Sequence, residues 1–214
     1  DWAYEHRCDT KIFLNDYKGA IEDCDKAIEL DPKKQWAYSN RGSSKIQLFD
    51  FKSAIEDFNK AIELDPEDKW SYANRGYSKH KLEDFKGAIE DFNKAIEIDP
   101  KYFYAYISRG LSKDSLEDYK GAIEDFNKAI EINPKDPWAY GNRGLVKQTL
   151  GNYFDAIYDF TRAIELDPEN SDYYYYERCY SKYELEKDES ALKDCNESLL
   201  INSKYEYAYD LRGD

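Results

Sequence analysis

The chain has 214 residues, with 45 acidic against 31 basic side chains and a net charge of −14. That balance excludes nucleic acid and anionic membrane surfaces as principal partners, because both need a basic face, and no apolar run approaches the roughly 20 residues that cross a bilayer. The chain opens at Asp1 and contains no methionine, so it reads as processed or trimmed.

The organising stretch is GAIEDFNKAIEIDP, Gly87 to Pro100. It returns as GAIEDFNKAIEINP at Gly121 to Pro134 and as SAIEDFNKAIELDP at Ser53 to Pro66, with looser copies ending at Pro32 and Pro168. Successive copies end 34 residues apart, and a period of that length marks a stacked array in which each unit buries its apolar face against its neighbours. The units are 1–34, 35–68, 69–102, 103–136, 137–170 and 171–205, with a partial seventh over 206–214, all within one array covering 1–214. Ser171 reads as a one-residue insertion in the last inter-repeat turn.

Each unit reads as two amphipathic helices. In the second, Trp36 to Leu48 is the first helix and Phe51 to Leu64 the second, where Phe51, Ala54, Ile55, Phe58, Ala61 and Ile62 recur at helical spacing. Asp50 is placed to cap the second helix, and Asp65-Pro66 ends it, since proline disfavours helical geometry in the residue before it. Five of the six prolines hold this stop; Pro137 instead opens a helix, where its missing donor costs nothing. Alanine columns (Ala20, Ala54, Ala88, Ala122 and Ala156; Ala27, Ala61, Ala95, Ala129 and Ala163) and the glycines Gly42, Gly76, Gly110 and Gly144 allow close helix approach. Phe58, Phe92, Phe126 and Phe160 fill the space opposite.

These columns resemble the tetratricopeptide repeat (TPR) family, on Tyr72, Gly76, Phe85, Ala88, Phe92, Ala95 and Pro100 and their copies. The resemblance implies an all-α, right-handed α-solenoid of helix-turn-helix hairpins that acts through protein contacts without catalysis or cofactor. One column departs from the family: where leucine is usual, the chain carries Arg41, Arg75, Arg109 and Arg143, with Asp57, Asp91, Asp125 and Asp159 in step on the second helix. A buried arginine needs a carboxylate, so an Arg–Asp pair is expected inside each repeat. A basic stripe for a ligand is the alternative.

Cys8 and Cys24 replace the glycine and phenylalanine of the first repeat, and Cys179 and Cys195 do so in the sixth. Replacing two contacting partners twice, at the same spacing, points to two disulfides, with four buried thiols as the alternative. Neither His6 nor His80 completes a metal ligand set. If the bridges form, an extracytoplasmic or secreted setting follows; otherwise the chain is cytoplasmic.

The resemblance also implies a concave face lined by first helices. The columns there give a partner-binding groove of Trp36, Trp70, Tyr77, Tyr104, Ile107, Leu111, Trp138, Leu145 and Tyr180, aromatic anchors suited to a peptide or protein; packing between repeats is the competing role for the tryptophans. The family's lysine–asparagine clamp for a chaperone tail is absent, since its lysine place holds Glu5, Ser39, Ala73 and Ile107. Asp1-Trp2-Ala3-Tyr4 resembles Glu206-Tyr207-Ala208-Tyr209, so a second reading is a structural subunit that binds itself head-to-tail into a superhelical filament. Arg212-Gly213-Asp214 continues the arginine–glycine column and is read as coincidence, and Asn196 begins an N-glycosylation acceptor on a predicted helix.

Overall fold

The structure, a computed structural model, describes residues 2–203. The fold is an all-α solenoid of paired helices. Among the described residues the helices run α1 (Trp2–Phe13), α2 (Tyr17–Leu30), α3 (Gln35–Gln47), α4 (Phe51–Leu64), α5 (Lys69–Lys81), α6 (Phe85–Ile98), α7 (Phe103–Asp114), α8 (Tyr119–Ile132), α9 (Pro137–Thr149), α10 (Tyr153–Leu166), α11 (Asp172–Tyr183) and α12 (Asp188–Ile201). None of them is long and apolar enough to cross a membrane. The partial seventh repeat and the Arg212-Gly213-Asp214 tripeptide lie outside the described residues.

The chain divides between Ser112 and Lys113 into two compact units. In the first, α1 packs on α2, α3 on α4 and α5 on α6, while α2 meets α3 and α4 meets α5. In the second, α8 meets α9, α9 packs on α10, α10 meets α11 and α11 packs on α12.

The boundaries follow from local chemistry. Asp16, Asp50, Asp84 and Asp118 each cap a second helix by accepting from the backbone N–H three residues on, which satisfies one of the donors a helix start leaves open. Pro137 opens α9 as expected, behind the cap of Asp136. The first helix of the second repeat is corrected by one residue at each end: it begins at Gln35 and stops at Gln47, with Leu48 as its C-cap. The reason is a Schellman turn. Phe49 takes a φ of 62°, Asp50 N–H donates to Lys45 O at 2.9 Å and Phe49 N–H to Ile46 O at 2.9 Å, so the last carbonyls of α3 are satisfied by the turn itself.

The Asp-Pro stop has its own device. The Asp31, Asp65 and Asp99 carboxylates accept from the backbone N–H two residues on, at 2.9–3.0 Å, and that Asx turn holds the chain extended across the proline. At the last such stop Asp167 instead accepts from Asn170, three residues on, at 3.3 Å. Ser171 is the extra residue there; it is buried, and its hydroxyl donates to Pro168 O at 2.8 Å.

The core is built from the small and large columns. The alanines of both columns are fully buried, and Phe58, Phe92, Phe126 and Phe160 are 0–1% exposed. A Cβ added at Gly42 would lie 2.9 Å from the Phe58 ring, so the glycine is required by close approach. Burying a phenylalanine of this kind is worth about 1.5–3 kcal/mol.

Candidate partner-binding surface

Beneath the surface lies a repeated ionic unit that positions the first helices. Asp91 is 3% exposed. Arg75 donates to it twice, from Nε at 2.9 Å and Nη2 at 2.6 Å, and Lys79 adds a third contact at 2.8 Å. The same arrangement joins Arg41 and Lys45 to Asp57, Arg143 and Lys147 to Asp159, and Arg178 and Lys182 to Asp194. In the first repeat Arg7 and Lys11 hold Asp23. In the second unit Lys113 holds Asp125 at 2.8 Å. Each arginine also lies over a tyrosine three residues before it, Tyr72 for Arg75 at 5.4 Å, a favourable use of a desolvated guanidinium. The bonds of Arg7 hold the Asp23 carboxyl below its ordinary value against the opposing effect of burial. Burial alone would lower the Arg41 guanidinium, but its bonds to Asp57 and Asp25 outweigh that and raise it.

One part of this network is not foreseen from the sequence. The remaining arm of each arginine reaches the preceding repeat: Arg41 to Asp25, Arg75 to Asn59, Arg109 to Asn93, Arg143 to Asn127 and Arg178 to Thr161, at 2.5–2.9 Å. The arginine therefore couples two hairpins as well as closing one. The signal lay in a polar column, Asp25, Asn59, Asn93 and Asn127, that stands 16 residues before Arg41, Arg75, Arg109 and Arg143.

The cysteines are paired, Cys8 with Cys24 and Cys179 with Cys195, with Cα atoms 5.8 and 5.5 Å apart, inside the usual range for a disulfide. All four are buried. Among the described residues no cluster of His, Cys, Asp or Glu could hold a metal ion.

The expected groove residues separate into four groups. Trp70, Tyr104 and Trp138 are 54–66% exposed, so packing between repeats does not consume them. Trp70 meets Tyr102 edge-on, centroids 4.9 Å apart, and Lys69 lies over its ring. Tyr77 and Tyr180 lean on the aromatic that opens the second helix of the preceding repeat, Phe51 at 6.3 Å and Tyr153 at 6.4 Å. Trp36, Leu111 and Leu145 are half-buried, with Trp36 against the Cys8–Cys24 core and Leu145 against that of Phe160. Ile107 is buried, at 7% exposure. The structure thus supports the packing role for Trp36 and leaves the exposed role to its three counterparts.

Two of these residues meet in a cavity of about 230 Å³ in the second unit, where Trp138, Asn142 and Leu145 of α9 face Tyr173 and Tyr174 of α11, with Asp167 and Asn170 in the intervening loop. Burial pushes the Tyr174 hydroxyl up to about 12, and the charges of Asp136 and Asp167 add to the effect. A more open hollow in the first unit is lined by Ile46, Phe49, Phe51, Asn74 and Tyr77.

Models of the tetratricopeptide repeat match residues 3–34, 36–68, 70–102 and 137–170, and a TPR repeat model matches 115–151. The hairpin α11–α12 continues the pattern beyond them. No curated protein sequence matches the chain. Among solved structures, PilW, a widely conserved type IV pilus biogenesis factor, is similar at 18% identity with a TM-score of 0.88, over 98% of this chain and 96% of its own. A tetratricopeptide repeat protein from Parabacteroides merdae ATCC 43184 is similar at 21% identity and a TM-score of 0.80, over 100% and 85%. YrrB, a TPR protein with an unusual peptide-binding site, is similar at 23% and 0.70, over 89% and 98%. At these identities the likeness is one of fold. With family models matching most of its length, the chain belongs to the tetratricopeptide repeat family.

Proposed function

We propose that the chain is a non-catalytic scaffold that holds a peptide or protein partner against the first helices of its repeats. What carries the reading is the exposure of Trp70, Tyr104 and Trp138 at one place in successive first helices. A large aromatic left in water at the same position of three repeats is costly unless something covers it, and such residues are the usual anchors of protein interfaces. TPR folds generally mediate contacts of this kind, and YrrB is an example with a peptide site. The two disulfides are consistent with an extracytoplasmic or secreted setting, because such bonds persist where the surroundings are oxidising. The head-to-tail filament turns on residues 206–209, which lie outside the described residues, and gains no support here.

Selection of a random 12-residue display library on the oxidised full chain tests the proposal. Peptides are expected to enrich, and Trp70→Ala or Trp138→Ala should weaken them about tenfold or more, the size of a hot-spot loss. Failure of any sequence to enrich, or binding indifferent to all three aromatics, would overturn it.

A further inference from the structure

The cavity between α9 and α11 exists because three departures from the repeat coincide. Tyr174 stands in a column otherwise held by Ala37, Ser71, Ala105 and Ala139. It fits because the residue opposite is Gly141, where a Cβ would lie 2.2 Å from the Tyr174 ring. That place holds Ser39, Ala73 and Ile107 in the three preceding repeats. Tyr174 then stacks with Phe160 at 6.4 Å, its ring 24° from parallel. The third departure is the inserted Ser171, which turns the Asp167 carboxylate onto both the backbone N–H and the side-chain amide of Asn170. One substitution to a larger residue, one to a smaller and one insertion meet at this cavity.

We propose that this cavity receives an arginine side chain of the partner peptide. The inference rests on the scaffold reading above and names the chemistry of one of its contacts. Size comes first: at about 230 Å³ the space falls below the ≈ 300–1,000 Å³ of small-molecule sites, so it takes a side chain and not a whole metabolite. The walls come next. Trp138 and Tyr173 present aromatic faces and Leu145 an aliphatic one, a setting for a flat cation to stack upon. Hydrogen-bonding capacity decides the sign. The Asn142 amide nitrogen donates to Trp138 O at 2.8 Å, and that of Asn170 donates to the two Asp167 oxygens at 3.1 and 3.2 Å. The amide oxygens and the Asp167 carboxylate remain as acceptors, and Asp167 is the one charged group in the lining. No Lys, Arg or His lines the space. A ligand that brings donors and positive charge matches this lining, and the chain's net charge of −14 favours its approach. Guanidinium suits the site better than ammonium because it is planar, stacks on rings and offers five donors to spread over several acceptors.

Capped Ac-Ala-Arg-Ala-NH2 is the probe, titrated into the oxidised full chain while the indole N–H resonances are followed by NMR. The Trp138 resonance, identified with Trp138→Phe, is expected to shift saturably. The citrulline peptide, a neutral isostere, should bind about tenfold more weakly, as should the lysine peptide to a lesser degree. Asp167→Asn should cost about tenfold for the arginine peptide. Asparagine is accommodated at this place in the fourth repeat, where Asn133 accepts from the Lys135 N–H two residues on, and the unfolding midpoint of the variant checks that the fold is kept. Equal binding of the arginine and citrulline peptides, an unmoved Trp138 resonance, or indifference to Asp167→Asn would overturn the inference. Library peptides that lack arginine and ignore Asp167→Asn would overturn it while leaving the scaffold reading intact, whereas an empty selection removes the scaffold reading itself.

Discussion

Asp91, nearly excluded from water, answers two cations at once, Arg75 and Lys79. Its burial is tolerable because both oxygens are bonded. Arg75→Leu, which restores the residue usual in the family, would leave Asp91 with Lys79 alone and cut the bond to Asn59. Breaking a buried pair from one side costs about 3–5 kcal/mol, so a fall of at least about 3 kcal/mol is expected in urea unfolding; an unchanged midpoint would mean that leucine packing replaces the ionic unit. A second residue-scale effect sits in the turns. Asn15, Phe49, Glu83, Glu117 and Glu186 all take φ near +60°, and only Gly151 meets this demand with a glycine. The left-handed region costs an ordinary residue about 1–2 kcal/mol, partly offset by the greater chain entropy glycine loses on folding. Glu83→Gly, at an exposed position, is expected to stabilise by about 0.5–1 kcal/mol in the same assay. A loss would show that the Glu83 side chain contributes a contact worth more than the strain.

At the scale of the helix pair, the disulfides and the Gly–Phe contacts are alternative solutions to one packing problem. Gly42 with Phe58 and Cys8 with Cys24 occupy matching places, and the first pair fills with a ring the space that the second spans with a bond. Closing a loop of this length is worth about 3 kcal/mol. Under reduction, α1 and α2 are therefore expected to lose hydrogen-exchange protection before α3 and α4. The variant Cys8→Gly with Cys24→Phe is expected to keep that protection in reducing buffer, whereas Cys8→Ser with Cys24→Ser should not. Equal protection in the two variants would show that the ring cannot be seated beside the Ile12 and Trp36 packing of the first repeat. The substitution was legible in the sequence because both members changed together, twice, in columns otherwise nearly invariant. Helix ends were legible only to within a residue, since Leu48 continues the apolar pattern of α3 while its backbone already belongs to the turn.

For the molecule as a whole, what repeats was readable and what does not repeat was hidden. Asp23, Asp57, Asp91, Asp125, Asp159 and Asp194 could be matched to the arginines 16 residues before them because six copies average away accident. The burial of Ile107 and the cavity beside Trp138 could not, since each depends on single departures whose consequences are visible only when the neighbouring hairpin is in place. Charge is the remaining property of the entire chain. A net −14 repels itself in the folded state. Against that stand the exposed pairs Lys26–Glu29, Lys60–Glu63, Lys94–Glu97, Lys128–Glu131 and Arg162–Glu165, each worth only ~0–1 kcal/mol. Salt weakens both, but it reaches the buried Asp triads least. Going from about 0.01 to about 0.15 M shortens the screening length from about 30 to about 8 Å, which relieves the long-range repulsion more than it weakens pairs already in contact. The thermal midpoint is therefore expected to rise, by roughly 2–4 °C for each ~1 kcal/mol relieved. A fall on adding salt would mean that the surface pairs, and not the self-repulsion, govern the balance.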